Sequence, residues 1–221
     1  MAPRGCILGD SLHAVCGYAR EIEYYMLGFC DIARGYTVNN IAVAGGTIAS
    51  QEAAWSLLGD KTSYDWILIL VGINDRDPAE SAATALARYQ HLVDTITADK
   101  KASAVIFTST LTPCKQFLID TYGPIIGEVA QQKWVDMNIG IRGQGPDAIT
   151  GMVDYADAHT LLLDDGAGSL ALQYDVGDHL HITAAARSVV ALDCRGIMQR
   201  FGFFTEDLRI AAQPYPWRIA I

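Results

Sequence analysis

The sequence predicts a parallel, doubly wound α/β sheet with helices on both faces. Three observations predict it. Short runs nearly continuous in apolar residues recur along the chain, as expected for strands covered on both sides. Longer stretches of helical spacing lie between them, and that alternation closes into a parallel sheet through right-handed crossovers. The 221 residues, 51% hydrophobic and 19% charged, suffice for one domain with a buried core.

Taken in order, the strands fall at 5–8, 37–43, 65–71, 102–109 and 149–155, and the first four helices at 12–27, 47–58, 79–98 and 115–138. Thr47 or Ser50 suits the start of the second helix and Gly59 its end. The last helix spans 183–201, with Thr183 as N-cap and Val189, Leu192, Ile197 and Phe201 on one side. Residues 1–202 thus form one domain. The extension 203–221, with "QPYPW" inside, either straps across it or leads into a linker.

Composition narrows the function. A net charge of −9 and a pI near 4.9 disfavour nucleic acid and anionic membranes as partners. No run reaches the roughly 18 apolar residues of a membrane span. The five cysteines (Cys6, Cys16, Cys30, Cys114 and Cys194) are odd in number and scattered, which suits small buried residues in a reducing compartment better than a disulfide or metal framework. The start shows no secretory pattern, so the expectation is a cytoplasmic protein or one already trimmed of a leader. Asp154, Asp157, Asp164, Asp165 and Asp175 lack regular ligand spacing and read as a solvated face. "GAGSLA" at 166–171 has no strand leading into it as a dinucleotide loop needs, and neither a phosphate-binding loop nor a G-x-S-x-G elbow occurs.

In a doubly wound sheet the ligand sits outside the carboxyl ends of the strands. The segments there are "GDSL" at 9–12, "NNIAVAGGT" at 39–47 and "GIND" at 72–75, with "DHLH" at 178–181 just before the last helix. Together they supply what acyl transfer needs. Ser11 is a hydroxyl nucleophile, His181 a base, and Asp178 a carboxylate to hold its tautomer. Asp178 and His181 are three apart, so a helical turn sets them on one face. The backbone N–H groups of Ser11 and Gly45 and the Asn74 amide can receive an oxyanion. Asp10 and Asp75 read as loop-holding residues. His13 and His179 are candidate substrate contacts, and His179 is an alternative base. His91 and His159 read as surface residues.

These blocks resemble those of the SGNH hydrolase family, the GDSL lipases and esterases. "GDSL" at 9–12, "NIAVAGGT" at 40–47, "GIND" at 72–75 and "DHLH" at 178–181 match its four blocks in order. The resemblance implies Ser11 as nucleophile, His181 as base, Asp178 as its orienter, and Gly45 and Asn74 as oxyanion donors. It implies a flavodoxin-like, five-stranded parallel sheet. The position after Asp178 is often small in the family and is His179 here. The expected activity is that of a carboxylic ester hydrolase with no metal or organic cofactor, acting on a small-molecule or glycan ester. The lack of a long apolar insertion leans toward short acyl groups, O-acetyl on carbohydrate foremost. A lipolytic esterase, thioesterase or acyltransferase would use the same residues, and a non-catalytic glycan-binding or assembly module is the alternative of another class.

Overall fold

A run without polar interruption is stable where both of its faces are covered, and two such runs lie inside the sheet of this chain. In the computed structural model, which describes residues 3–12, 37–163 and 168–203, β1 (Arg4–Gly9) pairs with β3 (Trp66–Leu70). Gly5 stands opposite Trp66, and Gly9 opposite Leu70. β2 (Thr37–Asn40) flanks β1, while β4 (Val105–Ser109) and β5 (Asp154–Ala156) extend the sheet beyond β3. All pairings are parallel and the order is β2-β1-β3-β4-β5, the flavodoxin-like order that the resemblance implies. Strand order reverses between β1 and β3, so the crevice for a ligand opens beyond the ends of those two strands.

Among the described residues the α-helices are α1 (Ile48–Ser56), α2 (Ala82–Asp99), α3 (Lys115–Tyr122), α4 (Pro124–Ile141), α5 (Ala158–Leu162) and α6 (Ala184–Arg200). Successive strand residues face opposite ways. On β4, Thr108 meets Tyr89 of α2, whereas the Phe107 ring packs edge-on against Phe201 just after α6, centroids 5.3 Å apart. Helices therefore cover both faces. Trp55, Trp66, Trp134 and Phe107 are among the fully buried side chains of the core between these layers. Among the described residues no helix is long and apolar enough to cross a membrane. The expected helix at 12–27 lies almost wholly outside the described residues, as do His13, Cys16, Cys30 and residues 204–221.

Several boundaries move, each for a local reason. β2 stops at Asn40 because the Asn40 side chain accepts from Ala42 N, although Ile41 and Val43 still bond to β1 carbonyls. The strand expected from 102 starts at Val105, after a turn in which Ala104 N bonds to Lys101 O. The one expected from 149 starts at Asp154, because Ile149 N bonds to Gly140 O and Gly151 turns the chain at φ +85°. The single helix expected at 115–138 is two, α3 and α4, broken at Gly123 (φ +79°) with Pro124 opening the second. Thr183 caps α6 as expected, but Leu192 faces solvent. Ile197 of the expected stripe is buried and Val189 packs on the core, and the rest of the buried side is Ala186, Val190 and Cys194.

Candidate active site

Ser11 stands two residues past the end of β1 and is half-buried. Its turn is built by its neighbours. Asp10, 1% exposed, accepts Leu12 N on Oδ1 at 3.0 Å, and Gly9 N donates to Oε1 of the buried Gln51 on α1. A short Asp side chain that bonds the backbone two residues on makes a compact turn and keeps Ser11 at its apex.

The glycine segment is fitted to the same place. Gly45 is exposed at φ +76°, a conformation that suits glycine. Gly46 is buried, and a Cβ there would meet the carbonyls of Gly9 and Val43 at 2.8 Å. The sequence singles out Gly45; the close approach to β1 belongs to Gly46. Thr47 then caps α1 reciprocally with Ser50.

Asn74 follows β3 and reaches across to the glycine segment, its Nδ2 donating to Gly46 O at 3.0 Å. That uses one of two amide hydrogens. Asp75 is buried and accepts Ile48 N on Oδ2 at 3.0 Å, pinning the start of α1, and Arg88 of α2 reaches its Oδ1 at 3.3 Å. Asp10 and Asp75 are thus loop-holding residues, as the sequence suggests.

Asp178 and His181 do meet, though in an irregular loop rather than a helical turn. Asp178 Oδ1 accepts the N–H groups of Leu180 and His181 at 3.0 and 2.8 Å, and its Oδ2 lies 2.6 Å from His181 Nδ1. Burial works to raise the Asp178 pKa. The bonds from the His181 ring and the two backbone N–H groups outweigh it and hold the carboxyl below its usual range. A carboxylate at Nδ1 fixes the hydrogen there and leaves Nε2 with its lone pair. His179 is engaged elsewhere: its Nδ1 lies 2.6 Å from Asp175 Oδ2, four residues back. It adopts φ +62° and is the one non-glycine residue at positive φ among those described.

One small cavity, about 20 Å³ and water-sized, ties the segments together. Asp10 and Leu12 on either side of Ser11, Ile73 before Asn74, and Ile182 after His181 all line it, with Thr110 beyond β4 and Val190 of α6. The sequence did not point to the loop after β4, nor to Asp175 or Arg76. Of these only Asp175 carries a signal, its spacing of four from His179. The acidic residues read as a solvated face separate into local pairs, Asp154 with Arg200, Asp157 with Arg142 and Asp175 with His179, while Asp164 and Asp165 lie outside the described residues. His159 is half-buried rather than on the surface, and burial lowers its pKa. Burial pushes the thiols of Cys6 and Cys194 up to about 12 and that of Cys114 up as well, so none of these three is a thiolate near neutral pH.

Residues 7–188 match the model of the GDSL-like lipase/acylhydrolase family. Among solved structures, a GDSL-like lipase from Bacteroides thetaiotaomicron aligns with 90% of this chain and 88% of its own at 12% identity and a TM-score of 0.66. A member of the lipolytic G-D-S-L family from Veillonella parvula aligns over 90% and 100% at 12% identity, TM-score 0.62. The psychrotrophic esterase EstA from Pseudoalteromonas sp., inhibited by monoethylphosphonate, aligns over 90% and 97% at 17% identity, TM-score 0.60. At these identities the likeness is one of fold. The comparison with curated proteins gives no match.

Proposed function

Because this chain belongs to the GDSL-like lipase/acylhydrolase family, we propose that it is a serine esterase working through an acyl-enzyme. Ser11 Oγ attacks the ester carbonyl while His181 Nε2 takes its proton, and Asp178 holds the resulting imidazolium. The oxyanion is received by the N–H groups of Ser11 and Gly45 and by the second amide hydrogen of Asn74. Collapse breaks the ester C–O bond, and the departing alcohol takes the proton from His181. Water, deprotonated by the same nitrogen, then attacks the acyl-enzyme, releasing the acid and restoring Ser11.

The observation that carries this reading is the 2.6 Å contact between Asp178 Oδ2 and His181 Nδ1, which leaves a basic Nε2 in the loop that ends on Ile182. Support comes from Ile182 lining the same cavity as Asp10 and Leu12, the two residues that bracket Ser11. The substrate in this reading is an ester of a short acyl group, O-acetyl on carbohydrate foremost, because the sequence holds no long apolar insertion to cover a lipid chain. Similarity to an esterase inhibited by monoethylphosphonate adds the expectation of covalent modification by phosphonates.

The test is hydrolysis of p-nitrophenyl esters from acetyl to dodecanoyl, beside Ser11→Ala and with fluorophosphonate labelling. Turnover that is highest on acetyl, fades with chain length and vanishes together with the label in Ser11→Ala is the expected result. Long-chain preference would overturn the short-acyl assignment. Absence of any Ser11-dependent turnover in folded protein would overturn the esterase.

A further inference from the structure

Two residues beyond Asn74 stands a cation for which the hydrolytic steps have no use. Arg76 is half-buried. Its guanidinium carbon lies 4.8 Å from the centre of the Phe117 ring on α3, and Nη1 reaches Asn74 Oδ1 at 3.4 Å. The Arg76 carbonyl accepts the Tyr122 hydroxyl of the same helix at 3.4 Å. The side chain is therefore held between α3 and the Asn74 amide.

Its charge, by contrast, has no ion-pair partner among the described residues. Arg4 faces Asp60, Lys61 faces Asp99, Lys101 faces Asp65 and Arg142 faces Asp157. Among the described residues no carboxylate pairs with Arg76, in a chain with 25 acidic and 16 basic residues. Asp120, one turn along α3 from Phe117, is bonded to Gln116 instead and lies 4.0 Å from the His179 ring. A guanidinium laid on an aromatic ring keeps its fork of N–H donors in the plane, ready for an anion with two oxygens. Among the described residues only one of the five donors is used, at 3.4 Å, by Asn74.

We propose that Arg76 is a specificity residue that binds an anionic group of the substrate: the ester carries a carboxylate or phosphate, held beside the Asn74 oxyanion donor. This rests on the esterase reading above and names its substrate class more narrowly.

Matched pairs test it. On the alcohol side these are 4-acetoxybenzoate against its methyl ester, and 4-acetoxyphenyl phosphate against phenyl acetate. On the acyl side they are monophenyl adipate against phenyl hexanoate. The expected result is a kcat/KM ratio of anionic to neutral ester of about 10 to 100 in at least one pair, the worth of a charge-assisted hydrogen bond. That ratio falls to about 1 in Arg76→Gln and is partly restored in Arg76→Lys, which keeps the charge. The pair that shows it identifies the anion and the side of the ester that bears it. Turnover of neutral esters with no anionic preference in any pair, or a preference that survives in Arg76→Gln, overturns the proposal and leaves the esterase intact. If no ester is turned over, calorimetric titration of 4-acetoxybenzoate and its methyl ester into Ser11→Ala, with and without Arg76→Gln, decides the anion site alone. Anion-selective binding that needs Arg76 sustains it, and its absence ends it.

Discussion

Asp178 divides one carboxylate among three donors, the two backbone N–H groups that shape the loop and the ring of His181. An amide of the same shape keeps an acceptor for the backbone but can present N–H to Nδ1, turning the imidazole to the wrong tautomer. Asp178→Asn is therefore expected to lower kcat by about 10³ to 10⁴ while leaving the melting temperature nearly unchanged. A large loss of stability with a small loss of rate would make Asp178 a loop residue only. Asn74 is the complementary case. Asn74→Ala removes a transition-state donor and is expected to lower kcat by about 10² to 10³, with KM on a short ester little changed. Because Nδ2 also bonds Gly46 O, the variant's melting curve has to accompany the kinetics; full activity in a folded variant would take Asn74 out of the mechanism.

Between elements, β1 and β3 approach so closely at Gly5 that no side chain fits there. A Cβ on Gly5 would overlap the indole of Trp66, which is 1% exposed and has no room to withdraw. Gly5→Ala is expected to destabilise the fold by about 3 kcal/mol or more, from overpacking and strand displacement, read as a fall in the urea midpoint. An unchanged midpoint would mean that the indole has another place to go. Nothing in "RGCILG" announces this, since the requirement comes from the neighbouring strand. The same division runs through the rest of the chain. Strands 5–8 and 65–71 are legible because, Asp65 at the start of the second aside, every residue is apolar and buried. The ends of β2 and β5 are not, because Asn40 and Gly151 set them through local bonds and turns. The four site blocks are legible because each is a compact string, three of them at strand ends and the fourth just before the last helix. Arg76 and Asp175 are not, because their meaning lies in Phe117 on another helix and in His179 at an unusual φ. The α6 stripe is right at Ile197 and misleads at Leu192, because the small residues Ala186 and Cys194 complete the buried side while Leu192 faces solvent.

At the scale of the molecule, the loop after β3 is tied to three helices by charge. Glu80 accepts from Arg88 of α2 and from Lys133 of α4, the latter at 3.1 Å. Arg88 also holds Asp75, whose other oxygen pins the start of α1. The hydrogen bond from Arg88 pulls the Glu80 pKa down, burial opposes it, and Lys133 adds to the pull, leaving it at about 2 against an ordinary value of 4.5. A carboxyl whose folded pKa lies below its unfolded one contributes stability in full above the unfolded value, and that contribution is lost as pH falls through the folded one. The window here is therefore between 4.5 and about 2. Asp75 runs the other way, since burial raises its pKa against the bonds from Ile48 and Arg88, so it cannot account for an acid-side loss. Urea midpoints at pH 7 and pH 3 for the wild type and Glu80→Gln separate the two. The wild type is expected to lose more stability between those pH values than the variant does, and the variant to start lower at pH 7. Equal losses in both proteins would place the acid-sensitive contact elsewhere, and would mean that the loop carrying Asn74 is held by packing rather than by this charge network.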